Sequence, residues 1–327
     1  MTARKPSWAK ALRYNPLQPL LDAEYEPVSF FVQQDLLGNK GLDAKSLWEH
    51  PDAMRIIRRQ RKNGSWKYPS KRKNAKEHRA YDWLETYRQV GFLVNKFGFD
   101  KRHPALRKAA TLLLSVQTKE GDLRAIYGNQ HAPNYSSQVF EELIKAGYGN
   151  DRRIIKGMNW LLSVRQDDGG WALPFRTKKD SSLALLSAPK TVQLDRSKPF
   201  SHFVTGIVLR SFAEHPKYRR RKDIKEAGEL LASRFFKADK YADRRAPRFW
   251  FGFSYPFWQA DLLSSLDTLS KLGFKPDLPQ VSLALDWFIR KQKKDGSWTP
   301  HIIHGADKKL PLWMQLQICR VFKQYFK

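Results

Sequence analysis

The chain has 327 residues, 41% of them apolar, with 11 Trp, 12 Tyr and 20 Phe; that is enough for a sizeable core and too apolar for a disordered protein. No run of about 18 apolar residues is present, so no membrane-spanning helix is expected. The 60 Lys and Arg against 32 Asp and Glu give a formal charge of +28, a field that attracts polyanions, and a single cysteine, Cys319, excludes an intrachain disulfide or a thiolate-rich metal site.

Residues 1–27 read as irregular or partly helical, punctuated by Pro16, Pro19 and Pro27, and as an extension that packs on the domain formed by 28–327. A first helix is expected over 28–38 and a second over 51–60, opened by Pro51. After a basic loop at 67–79, helices are expected at 80–97 and 104–117, the second with Asp100 as its N-cap and Pro104 in its first turn. The next pair spans 135–147 and 152–165, with Asp151 as a cap; Ile154, Met158 and Leu161 recur at helical spacing on the second. A long connection at 172–199 reads as a flap or the seat of a short helix. Helices near 200–214, 221–236, 256–272, 279–292 and 311–325 complete the chain.

One turn recurs behind these helices. It is written Gln60…Gly64-Ser65-Trp66, Gln117…Gly121-Asp122-Leu123, Gln166…Gly170-Trp171 and Gln292…Gly296-Ser297-Trp298, and it has lost both Gly and Trp at Phe236–Lys240. The copies recur at periods of about 50–60 residues with two helices each, the signature of a helical repeat array. Gly permits the reversal, Trp packs across helix ends and Gln can bond a free helix terminus, so these residues are assigned to structure. The fold class expected is all-α.

This repeat, best written at 287–298 and 160–171, resembles that of terpenoid cyclases such as squalene–hopene cyclase and of protein prenyltransferase β-subunits. The resemblance implies an α/α-toroid of about five to six helix pairs, in which 28–38, 80–97, 134–147, 200–214, 256–272 and 311–325 form an inner ring. It implies a hydrophobic, isoprenoid-type ligand and, if the chain is an enzyme, a divergent cyclase- or prenyltransferase-like reaction. The Asp-x-Asp-Asp motif of the cyclases is not in the sequence, and the zinc set of the prenyltransferases lacks its partners for Cys319. His301, His304 and Asp307 read as loop residues, so no metal and no cofactor is expected.

The aromatic run Phe249–Trp258 leads into Gln259 and Asp261 on an expected inner helix. With Trp250, Tyr255, Trp258 and Gln259, the residues Tyr127, His131, Tyr135 and His202, and Trp313 with Gln315, sit at the entry ends of inner helices. Such a set fits an aromatic-lined ligand pocket or, equally, a packed ring centre. Asp261 is the first candidate for a general acid, because an aromatic shell raises a carboxyl pKa; a helix-face Asp with a local partner is the competing reading. A second function class remains open: a non-enzymatic scaffold whose basic loops at 67–76 and 217–222 bind nucleic acid or an anionic membrane surface. The N-terminal sequence has no signal-peptide core and predicts a cytoplasmic protein, peripheral to a membrane at most.

Overall fold

Helices form where the proline and capping signals place them. The computed structural model describes residues 5–69, 75–178, 188–241, 246–303 and 307–327. In chain order these contain α1 (Gln18–Leu21), α2 (Glu26–Phe31), α3 (Pro51–Ile57), α4 (Ala75–Phe97), α5 (Pro104–Leu114) and α6 (Pro133–Leu143). There follow α7 (Arg152–Ser163), α8 (His202–Glu214), α9 (Lys222–Ala232), α10 (Leu262–Lys271), α11 (Pro279–Lys291) and α12 (Leu310–Tyr325). Among the described residues the only β features are two isolated bridges, Gln117 with Leu123 and Phe253 with Ile302, so the fold is all-α as expected.

The chain divides into two compact units, residues 44–218 and residues 1–43 with 219–327. In the first, α6 packs between α4 and α8, while α3 and α5 pack on α4 and α7 packs on α6. Burial follows that order. Helix α7 hides one stripe, Ile154, Gly157, Met158, Trp160 and Leu161, whereas α8 is buried from Val204 through Ala213 without a break. An amphipathic helix covers a core and an all-round buried one sits inside it, so α4, α6 and α8 are inner and α3, α5 and α7 outer. In the second unit α10 packs on α9, α11 and α12, and α12 also receives α1 and α2.

The repeated turns join outer to inner helices by a fixed set of hydrogen bonds. The Trp66, Trp171 and Trp298 indoles donate to carbonyls ten residues back, Ile56, Leu161 and Phe288, at 2.7–2.8 Å. The main-chain N–H at the same position donates to an inner-helix side chain: Thr86, Thr205 or Gln315. Leu123, the copy without an indole, keeps the second bond through Ser136 Oγ. Its missing indole is replaced from elsewhere, because Trp83 on α4 donates to Leu113 O at 3.2 Å, again ten residues before the turn position. At the degenerate turn after α9, Trp250 donates to Lys237 O, and Phe236 takes the left-handed φ of +64° that Gly would adopt without strain. An indole therefore closes the ends of α3, α5, α7 and α11, and after α9 an indole bonds the turn instead.

Two expectations about the turn are corrected. Gln does not reach a free helix terminus: the Gln60 and Gln117 amides bond their own turn glycine's carbonyl and a first-turn carbonyl of the next outer helix, Ala105 O and Arg153 O, each at 2.8 Å. At the third copy Arg165 holds the Gln position, donating from Nε to Gly169 O, and Gly169 carries the positive φ; Gln166 is instead free to bond the carbonyls of Asp195 and Lys198. Glycine is required where the turn lies against its neighbour. A Cβ on Gly64 would stand 2.6 Å from Lys108 O, and one on Gly296 would stand 1.9 Å from Asn15 O.

Boundaries shift at four places. Helix α4 begins at Ala75, inside the expected basic loop, while Lys71, Arg72 and Lys73 lie outside the described residues. The N-cap of α5 is His103, whose Nδ1 accepts from Ala105 N, because Asp100 is engaged by Arg102. Residues 256–261 are not helical: α10 starts at Leu262, and Asp261 caps it. The first helix starts at Glu26, two residues before its expected start.

Trp83→Phe is expected to cost about 1–3 kcal/mol, because it removes the buried donor on Leu113 O and leaves a small void where the larger indole was. Urea unfolding of both proteins checks it. Equal midpoints would mean that the indole hydrogen bond contributes nothing.

Candidate functional site

The sequence-selected residues fall into two sets, one in each unit. In the 44–218 unit, Tyr127 lies in the segment between the second repeat turn and α6, and Tyr135 lies in the first turn of α6. Their ring centroids are 5.1 Å apart, and Tyr127 also meets Phe175 edge-on at 5.4 Å. Tyr68 and Tyr81 form a neighbouring pair at 5.0 Å, close enough that both contribute with Tyr127 to the electrostatics of Tyr135. Burial first, then these phenols, push the Tyr135 pKa well up, so its hydroxyl is a neutral donor. All four tyrosines are half-buried. The 188–199 part of the expected flap is fastened beside them: Gln130 bonds Lys190 O and Val192 N, and Asn129 Nδ2 donates to Pro189 O. The short helix expected there is a single turn, Pro174–Arg176.

His131 belongs to a different group. With Glu120 and Asp122 it places three potential ligand atoms within 4.8 Å. Arg124 already occupies that group, donating Nε to Asp122 at 2.8 Å and Nη2 to Glu120 at 3.2 Å. Burial alone would raise the Asp122 pKa, but hydrogen bonds from His131, Thr118 and Arg124 hold it below the usual carboxylate range. The cluster is an ion pair centred on a guanidinium. His202 is the first residue of α8, buried behind the Ser201 cap.

In the other unit, Tyr255 stacks on Trp313 at 5.5 Å and 8°, with Tyr25 and Phe31 against the same indole and Arg320 over Phe31. Tyr255 and Trp313 are 4% and 0% exposed, so these rings have protein on both faces. Trp250 is engaged on Lys237 O; Gln315 bonds Trp298 N, Pro16 O and Gly296 O. Trp258 and Gln259 are half-buried ahead of α10, where Gln259 O accepts from Ser264 Oγ. Asp261 is fully buried and closes a capping box: its Oδ1 accepts from Ser264 N at 2.8 Å, and Ser264 Oγ accepts from Asp261 N. Cys319 is a buried thiol whose pKa burial pushes up, far from a thiolate's. Of the loop histidines, His304 lies outside the described residues.

Besides Tyr68 and Tyr81, sequence reasoning missed a charged group inside the first unit. On α6, Glu141 and Glu142 are each 2% exposed. Glu141 pairs with Arg210 of α8 at 2.8 Å and with Lys145 at 2.7 Å, and Glu142 accepts from Asn95 of α4 at 2.6 Å. Burial would raise the Glu141 pKa, but the two cations override it and hold the group ionised; for Glu142 burial wins, with the charge of Glu141 adding to it and Lys145 opposing. The available signal was Arg210 inside the apolar run Val204–Phe212, because a lone cation there must find a buried carboxylate.

Paired inner and outer helices, closed by indole-to-carbonyl turns, define a helical-repeat protein of the terpenoid-cyclase class. Residues 127–310, more than half of the chain, match the squalene-hopene cyclase C-terminal domain, and the chain belongs to that family, whose α/α-toroid class is the one expected from the sequence. A squalene–hopene cyclase of Bradyrhizobium diazoefficiens is 27% identical over 154 residues, 46% of this chain but 21% of that protein, so the chain spans about a fifth of this curated relative's length. Among solved structures, a protein from Actinoplanes is similar at a TM-score of 0.40 and 15% identity, over 87% of this chain and 88% of its own. A form of the type II terpene cyclase MstE from Scytonema, in complex with geranylgeranyl dihydroxybenzoate, is similar at 0.36 and 11%, over 93% and 99%. Among the described residues no helix is long and apolar enough to cross a membrane.

Proposed function

We propose that this protein holds a hydrophobic, isoprenoid-type ligand against the half-buried tyrosines of the 44–218 unit. The observation that carries the reading is the group Tyr68, Tyr81, Tyr127 and Tyr135, whose rings are near one another and partly open, unlike the covered stack of Tyr255 on Trp313. Aromatic faces offer a large apolar surface with little rotamer entropy to lose, and neutral phenols add hydrogen-bonding ends without charge. Membership of the family supports the ligand class and makes a cyclase- or prenyltransferase-like reaction the one to assay.

The test is a fluorescence titration with a polyprenyl hydrocarbon. Saturable binding is expected, weakened about tenfold or more in Tyr127→Ala and Tyr135→Ala, which each remove one ring face. Absence of saturable binding would overturn the reading. Tight binding of nucleic acid or anionic vesicles that collapses with salt, in place of polyprenyl binding, would support the polyanion scaffold that the +28 charge allows.

A further inference from the structure

The start of α6 carries an unmet hydrogen-bonding need in the middle of the tyrosines. Asn134 is the second residue of the helix and 5% exposed. Its Nδ2 donates to Tyr127 OH at 3.3 Å, which fixes the amide beside the rings. The other end of the same amide, Oδ1, is buried and has no hydrogen-bond partner among the described residues. Leaving such an acceptor dry costs about 1–3 kcal/mol, so it needs a reason. The helix end beside it is also uncapped: Ala132 is the N-cap and offers no side-chain acceptor, and Pro133 fills the first position. The N–H groups of the first turn, those of Asn134 and Tyr135 among them, have no acceptor within the helix.

A buried acceptor beside helix N–H groups that have no acceptor within the helix has the complement of one small chemical group. A hydroxyl donates one hydrogen bond and accepts others. A carboxylate or phosphate would suit the N–H groups but would be repelled by the carbonyl oxygen of Asn134, and a hydrocarbon would satisfy neither. We infer that the start of α6 is a hydroxyl subsite: the ligand is an isoprenoid alcohol or phenol whose O–H donates to Asn134 Oδ1, with its chain on the faces of Tyr127 and Tyr135. This rests on the isoprenoid-binding reading and adds to it the polar end of the ligand and the residue that selects it.

Three probes separate the two ideas: a polyprenyl alcohol, its methyl ether and the hydrocarbon of the same chain. The intact protein should bind the alcohol about tenfold or more tighter than either of the others, because only the alcohol can donate to Oδ1. In Asn134→Ala the preference should vanish while hydrocarbon affinity stays within about twofold. Asn134→Asp, which keeps the acceptor, should retain it. The comparison in the intact protein needs no variant and stands if Asn134→Ala fails to fold. Equal affinity for all three probes would overturn the hydroxyl subsite and leave isoprenoid binding in place. Failure of all three to bind would overturn both.

Discussion

Arg210→Met is expected to destabilise the protein by about 3–5 kcal/mol, the cost of leaving a buried charge without its partner. Glu141 and Arg210 are each 2% exposed at the side chain, with Nε 2.8 Å from the carboxylate. Lys145 stays 2.7 Å from Glu141 and softens the loss, so the lower half of the range is expected. The double replacement Arg210→Met with Glu141→Leu should recover part of it, because that pair then has no ion to desolvate while Lys145 keeps Asn95 Oδ1 and Glu142 as partners. Urea unfolding of the single and double variants checks both statements. A single variant as stable as the parent, or a double variant worse than the single, would show that this pair does not anchor α8 to α6.

Glu142→Gln is expected to act in the opposite direction and only at higher pH. Burial first, and then the charge of Glu141, push the Glu142 pKa up to about 7 from its ordinary value of 4.5, with Lys145 opposing. Between those values the folded protein holds a proton that the unfolded chain has released. The stabilising contribution is therefore complete below pH 4.5 and lost as pH rises through 7. Glu141, held ionised by Arg210 and Lys145, has the reverse sign, and its effect falls below its ordinary value of 4.5. Above pH 7 the variant should exceed the parent by about 1–3 kcal/mol, and its stability should be flatter from pH 5 to 8. Identical pH profiles would mean that Glu142 ionises as it would in water.

The helix inventory was legible because its punctuation is local. Pro51, Pro104 and Pro279 open helices, Asp151 accepts from Arg153 N, and the recurring turn told which helices lie inside. What escaped the sequence depends on which of several neighbouring residues takes a bond, or on partners distant in the chain. Asp261 reads as a helix residue by proximity, yet Ser264 makes it a cap; the third turn reads as Gln166 and Gly170, yet the ladder is set by Arg165 and Gly169. The tyrosines Tyr127 and Tyr135 were visible as aromatic residues ahead of an inner helix. Tyr68 and Tyr81 were not, because nothing in their local pattern marks them as neighbours of Tyr135. Glu141, Lys145 and Arg210 come from two helices, and a helical period does not report which charged face meets which.

The indole that Trp83 supplies to Leu113 changes what the second turn must hold. In the three turns that carry their own Trp the ring sits in the turn itself, so opening the segment 63–66, 169–171 or 296–298 also releases the outer helix before it. Here α5 is fastened from α4, on its N-terminal side, and the stretch 117–131 is relieved of that duty. Local opening of this stretch is thereby uncoupled from α5. It leads directly to Tyr127 and the start of α6, so the backbone ahead of those tyrosines can loosen while α5 stays fastened.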